Sequence, residues 1–412
     1  MRKILMIAYH FPPLAGSSGI QRTLRFVQHL PSFGWEPLVL TTIPKAYEQT
    51  SHDLLGDVPE GVIVHRSFAL DTARHLSLGG RYFGWMARPD RWLSWYPAAV
   101  WSGLGMIRRY KPDVIWSTYP IATAHMIGSA LNRHSGLPWI ADFRDPMAQD
   151  GYPPDPQTWQ KFKRIESDAV RRARWSTFTT PGAAKDYGQR YPDVADRIVV
   201  LENGYDEESF VAAATATSME PLRPGVVTLV HSGIVYPEER DPTALIMALK
   251  SLRTTGRIRP GGFKIRFRAP VHDDLLRRLA SENGVEDFIE LCPAIPYREA
   301  LAEMLRADGL LVMQSAGCSA QIPAKIYEYL RARRPILALT NTAGDTAGLL
   351  LKAGIDMIAG IDSVDEIVRL LPIFLDAVRE NRAPLPSMRA VEQSSRRARA
   401  EALVALMDGA VQ

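Results

Sequence analysis

Short apolar runs alternate with helix-length amphipathic stretches through the first two hundred residues of this chain. The runs fall at 4–8, 38–42, 62–66, 114–117, 139–142, 176–180 and 198–202, and runs of this kind predict buried strands. After the first of them, Ile20, Leu24, Val27 and Leu30 share one helical face while Arg22 and Arg25 fall elsewhere, which predicts an amphipathic helix. Strands and helices in alternation build a parallel sheet wrapped by helices.

The pattern starts again at 226–231, where a fresh strand runs into Ser232 and Gly233 and, after a loop, a helix over 242–252. Further strands are expected at 264–268, 310–313, 336–339 and 357–359, each separated by a helix-length interval. Two doubly wound α/β units in series account for this, the first over 1–210 and the second over 224–386. The Ala-, Thr- and Pro-rich stretch 211–223 between them is expected to be a linker. Residues 387–406, rich in Ala and Arg, predict a final helix that could pack back on either domain and is grouped with the first. No repeat with a period of a few tens of residues and no low-complexity tract interrupts this scheme.

The length agrees, since 412 residues exceed one ordinary domain and, with 46% hydrophobic and 23% charged positions, allow a large core. Met1, Arg2 and Lys3 lead directly into the first strand, without the apolar region and cleavage site of a signal peptide. No apolar run approaches the roughly 20 residues that span a bilayer. The two cysteines, Cys292 and Cys318, have no metal-ligand spacing and fit a reducing compartment, so a cytoplasmic location is expected. A net charge of +4 with a pI near 9.0 leaves acidic ligands, an anionic membrane face and nucleic acid open as partners.

Candidate chemistry begins at the loop after the first strand, "AYHFPPLAGSSGIQ", whose Gly16 and Gly19 stand before the first helix. In a doubly wound sheet this turn lies at the carboxyl edge of the strands, where a helix N-terminus offers N–H groups to an anion. The spacing is neither a dinucleotide fingerprint nor a phosphate loop, so a plain flexible turn is the competing reading. More specific is "CSAQIPAKIYEYLRARRPILAL", 318–339, in which Pro323 suits the first turn of a helix and Ile326, Tyr329 and Leu330 form its apolar stripe. Lys325 and Glu328, three apart, sit together near that helix start. A cation there suits a diphosphate, and a carboxylate one turn on suits the two hydroxyls of a ribose. An ordinary exposed ion pair is the alternative.

At these residues the chain resembles the retaining nucleotide-sugar glycosyltransferases of the GT-B fold, the large family of sucrose synthase-like and mannosyl transferases (family 4-like, group 1). "STYPIATAH", "PWIADFRDP", "LENGYDEESF" and "HSGIVYPEERDP" follow in the family's order over nearly the whole chain. The resemblance implies two Rossmann-like domains facing a central cleft, with acceptor on the first and donor on the second. It matches Glu328 to the second glutamate of the family's Glu-x7-Glu motif, which holds the ribose. The first, which faces the transferred sugar, falls at Ala320, so the motif is broken. Backbone groups of Gly317, Cys318 and Ser319 then remain to contact the sugar. Arg240 stands near the family's phosphate-binding basic residue, with Ser232 and Gly233 as the turn beneath it.

In "PWIADFRDPM" the family places a cleft-facing strand end and often a histidine near the reaction centre; the closest match here is Asp142, taken as the candidate catalytic group, followed by Arg144 and Asp145 on the acceptor side. A carboxylate there would hold a sugar hydroxyl or assist acceptor deprotonation, unless it caps a turn and pairs with Arg144. His125 is either a third acceptor-side residue or a satisfied helix histidine. The resemblance implies front-face attack in which the leaving phosphate takes the acceptor proton, so no dedicated nucleophile is needed. No cofactor or metal is expected, since no Asp-x-Asp motif or His/Cys cluster occurs.

The stretch 81–111 carries Trp85, Trp92, Trp95 and Trp101 among basic residues, with Trp116 beyond. Interleaved aromatics and cations suit a membrane interface, single-stranded nucleic acid, or a helix packed into the core through its rings. The reading adopted is peripheral contact with the inner membrane face, no nucleic-acid partner, and transfer to a glycan or lipid-linked acceptor in surface polysaccharide or glycolipid synthesis. An epimerase of the same fold would need more carboxylates and histidines around the sugar; a non-catalytic scaffold is favoured only by Ala320.

Overall fold

The computed structural model describes residues 1–17, 19–216, 218 and 220–412, so Ser18 of the glycine loop and Thr217 and Met219 of the expected linker lie outside the described residues. The chain forms two compact units, Met1–Glu202 with Arg396–Gln412, and Asn203–Ser395.

The first unit is built on seven strands: β1 Arg2–Ile7, β2 Trp35–Thr42, β3 Ile63–Ser67, β4 Val114–Thr118, β5 Trp139–Arg144, β6 Trp175–Phe178 and β7 Ile198–Val200. They pair in parallel in the order β3-β2-β1-β4-β5-β6-β7. The order reverses between β1 and β4, which makes the carboxyl ends of those strands the place where such a sheet opens to a ligand. Alternate residues of β1 serve opposite layers: Leu5 and Ile7 join one apolar cluster, Ile4 and Met6 the other. That two-sided burial is why the strand appears as an unbroken apolar run.

Helix Gly19–His29 differs from its expected one-sided burial. Arg22 and Arg25 are buried along with Ile20, Leu24 and Val27: Arg22 pairs with Asp142 and Arg25 with Asp57, while helix Arg396–Val411 packs Ala400, Leu403 and Met407 into the cluster of Leu24 and Val27. The expected helix over 387–406 is itself two helices, Met388–Gln393 and Arg396–Val411. Val391 of the first piece packs into the second unit, whereas the second piece packs into the first unit. The break falls at Ser394 and Ser395, residues whose side chains compete with helical backbone bonds.

The second unit holds β8 Val227–Ser232, β9 Phe263–Arg268, β10 Ile289–Cys292, β11 Gly309–Met313, β12 Ile336–Leu339 and β13 Ile358–Ala359, parallel in the order β10-β9-β8-β11-β12-β13. Strand β10 has no counterpart among the expected strands: it is a half-buried edge strand whose Glu290 and Cys292 break the apolar run. The expected linker is also partly helical, since helix Glu207–Thr215 runs into it, capped by Asp206 accepting from Ser209 N.

Candidate functional site

In the second unit, strand β8 ends at Ser232 and turns through Gly233 at φ +107°, a conformation that favours glycine. Helix Lys325–Ala332 docks against this strand end, Tyr329 accepting from Ser232 N at 2.9 Å with its ring fully buried. The helix begins at Lys325, two residues later than Pro323 suggests. Ile326, Tyr329 and Leu330 are buried as the stripe requires.

That docking carries Lys325 over the turn. A Cβ on Gly233 would lie 3.4 Å from Lys325 Nζ. His231, fully buried, donates from Nδ1 to Leu311 O at 3.0 Å, which leaves Nε2 as an acceptor for Lys325 Nζ at 3.3 Å. Burial and the neighbouring Arg240 push the Lys325 ammonium down to about 7, with Glu328 opposing. Burial and Lys325 hold His231 neutral, well below its ordinary value.

Arg240 donates to Ile234 O at 2.6 Å and lies over the Tyr236 ring. Glu328 accepts from the Tyr297 hydroxyl at 2.8 Å. The turn Ala316–Cys318 follows β11 and presents Gly317 and Cys318. It is fixed by Gln314, whose Nε2 donates to Cys318 O and Gln321 O, and by Ser315 N donating to Glu239 O at 2.7 Å. Burial and Glu239 raise the Cys318 thiol above its ordinary value. Ala320 is exposed. Thus Ser232, Gly233, Arg240, Gly317, Cys318, Lys325 and Glu328 all stand on β8, β11, the loops that follow them, or the helix docked there. Sequence reasoning gave no role to His231, although it opens "HSGIVYPEERDP", and missed Tyr297, which belongs to no motif; both are found by their neighbours.

In the first unit, two expectations are corrected. Asp142 was expected to face a substrate; it is fully buried, and its carboxylate accepts from Arg22 Nε and Nη2 at 2.9 and 2.8 Å, Thr118 Oγ1 at 2.9 Å and Thr177 Oγ1 at 2.7 Å. These partners outweigh burial and hold its pKa below the usual carboxylate range, and they tie the helix to the sheet. Its partner is Arg22, not Arg144; Arg22 also donates to Leu201 O and Glu202 O. His125 was expected on the acceptor side; it is fully buried, bonded through Nδ1 to Ser117 Oγ at 2.8 Å and packed against Phe143, and burial lowers its pKa to about 3. It is a core histidine.

Arg144 and Asp145 do reach the carboxyl edge. Gly16 takes φ +75° there, and a Cβ on Gly19 would lie 2.6 Å from His10 Nδ1 and 3.0 Å from Arg144 Nη1, so no larger residue fits where the helix begins. Asp145 is exposed. The tryptophans of 81–111 divide: Trp95 is buried, while Trp85 and Trp101 are 67% and 80% exposed. No group of three or more metal-ligating side chains occurs, and no helix is long and apolar enough to cross a membrane, among the described residues.

Residues 18–204 match the family described as Glycosyl transferase 4-like domain. Among solved structures, HepE of Anabaena in complex with UDP aligns with a TM-score of 0.65 at 12% identity, covering 99% of this chain and 100% of that one. The fold is GT-B. Sucrose-phosphate synthase from Thermosynechococcus elongatus aligns with a TM-score of 0.59 at 13% identity over 99% of this chain and 97% of its own. The UDP-forming trehalose-phosphate synthase of Burkholderia xenovorans in complex with glucose-6-phosphate gives 0.63 at 12% identity, covering 99% and 100%. No curated protein matches the chain significantly.

Proposed function

We propose that this GT-B chain is a glycosyltransferase that moves a sugar from a nucleotide-sugar donor to a glycan or lipid-linked acceptor, with retention of configuration, in surface polysaccharide or glycolipid synthesis. The observation that carries the reading is Lys325 held over the Ser232–Gly233 turn with Arg240 nearby and Glu328 one turn along the same helix. Two cations suit a diphosphate that gains charge as it leaves, and the carboxylate suits a ribose. In the step, the bond from the sugar's C1 to the diphosphate oxygen breaks and its electron pair stays on the phosphate. The acceptor oxygen bonds to C1 on the same face, and its proton passes to the leaving phosphate. No protein nucleophile is required, which agrees with the saturated Asp142.

Uridine nucleotides are the first probes, because HepE is solved with UDP and with UDP-glucose. A lipid-linked acceptor is supported by a loop of the first unit in which Leu78, Phe83 and Trp85 are 89%, 72% and 67% exposed. The stretch 72–89 has Arg74, His75, Arg81 and Arg88 and no acidic residue, a composition suited to peripheral contact with an anionic membrane face.

The test is a thermal-shift titration of the wild type and Glu328→Ala with nucleoside diphosphates and nucleotide sugars. Stabilisation by one base that is lost in the variant supports the donor site and names the nucleotide. No shift with any nucleotide overturns it and leaves the non-catalytic scaffold. Donor consumed and isomerised without acceptor would instead establish the epimerase.

A further inference from the structure

Arg144 is conspicuous within the first unit for what it lacks. It closes β5 at a bulge, where the register with β6 shifts between Asp142 and Arg144. Its φ is +63°, costly for a side chain of this size, and the conformation is pinned by its own carbonyl, which accepts from Thr179 N at 2.9 Å and Thr179 Oγ1 at 2.8 Å. The guanidinium has little to hold. Nε is buried without a hydrogen-bond partner, and Nη1 makes one long bond to Tyr119 O at 3.4 Å.

Among the described residues Arg144 has no ion pair. The nearby carboxylate of Asp142 is saturated by Arg22 and two threonines. Asp145, next in the chain, is exposed and makes no ion pair with Arg144 among the described residues. Beside the guanidinium stands His10, whose ring packs edge-on against Tyr9, and the backbone of Gly19 fits between the two. Burial and Arg144 hold His10 down at about 4, so at neutral pH the imidazole offers a hydrogen bond without a second positive charge. Asp145 and Asp142 act on the guanidinium only through space, against its burial and Arg22, so its unbonded Nε leaves a donor free for an anionic ligand.

We infer that Arg144, with His10 beside it, binds an anionic group carried by the acceptor sugar, a phosphate or a carboxylate. The inference rests on the glycosyl-transfer reading only in taking that acceptor to be a sugar. The shared chemistry has two sources: a sugar phosphate or a uronate.

Calorimetric titration of the full chain separates them. The probes are glucose 6-phosphate and glucuronate against glucose, and UDP alone. The variants are Arg144→Asn, since asparagine tolerates the left-handed backbone, and Arg144→Lys, which keeps the charge. A melting curve on each confirms folding. In the wild type at least one anionic sugar is expected to bind about tenfold or more tighter than its neutral counterpart. Arg144→Asn should abolish that preference, and Arg144→Lys should retain part of it, while UDP affinity stays within about twofold; tenfold corresponds to about 1.4 kcal/mol.

A wild type without preference for any anionic probe, or a preference that survives Arg144→Asn, overturns the inference. So does a loss of UDP affinity equal to the loss for the anionic sugar, because the arginine then serves the diphosphate. UDP failing to bind while an Arg144-dependent preference persists would sink the nucleotide-sugar reading and leave this one standing.

Discussion

A buried ion pair and a partly buried lysine, with opposite fates, show what single residues contribute. Asp142 and Arg22 neutralise each other inside the first unit, joining the helix after β1 to the ends of β4, β5 and β6 through Thr118 and Thr177. Removing one member of such a pair strands the other, so Asp142→Asn is expected to cost about 3–5 kcal/mol in a denaturant titration; a cost below about 1 kcal/mol would argue against the clamp. Lys325 is the opposite case, a cation whose charge the free protein suppresses. With its pKa at about 7, it is largely neutral at pH 8, and a bound diphosphate restores the proton. UDP binding at pH 8 should therefore take up close to one proton, read from the buffer dependence of the binding enthalpy, and Lys325→Met should abolish the uptake. Affinity should fall as pH rises above 7. Stability of the unliganded protein runs the other way: between about pH 7 and 10.5 the unfolded chain binds the proton that the folded Lys325 releases, so raising pH through that window stabilises the fold.

At the scale of elements, the helix Arg396–Val411 is the one whose removal has the clearest consequence. It is the sole part of the second half of the chain that belongs to the first unit, and it shields Leu24, Val27 and Trp35 through Ala400, Leu403 and Met407. Deleting residues 396–412 should destabilise the first unit by several kcal/mol, given about 2–5 kcal/mol for each large buried aliphatic lost, while UDP binding by the second unit persists; parallel loss of both would contradict two separate units. Apart from β10, the strands of both sheets were legible, helped by the unbroken apolar run that burial on two faces writes, as at β1 and β12. Burial of Arg22 and Arg25 was not, since it depends on Asp142 and Asp57, carboxylates distant in the sequence. Strand β10 hid behind Glu290, whose charge is answered by Arg223 and Arg266 rather than by solvent. At the site, Lys325 and Glu328 were legible from helical spacing, whereas Asp142 and His125 looked functional because residue type does not reveal burial. His10 and Tyr297 acquire meaning only from Arg144 and Glu328 beside them.

For the whole molecule, the decisive surface is the loop of the first unit that keeps Leu78, Tyr82, Phe83 and Trp85 in water although the chain has ample core elsewhere. Leaving such rings exposed costs hydrophobic free energy of roughly 25 cal/mol for each Å² that burial would remove from water, and a monomer rarely tolerates a contiguous patch without a use for it. The absence of acidic residues from 72–89 matters because each aromatic would otherwise carry a repelling charge to an anionic bilayer. Vesicles of phosphatidylglycerol and phosphatidylcholine should therefore co-sediment with the protein at low salt and release it as ionic strength rises. Phe83→Ser with Trp85→Ser should reduce binding about tenfold or more without altering UDP affinity, since these side chains are solvent-exposed and lie outside the donor unit. Binding that is unchanged in the double variant would assign the attraction to charge alone. No binding to anionic vesicles at any salt would remove the membrane from the proposal and leave a soluble glycan as the acceptor to pursue.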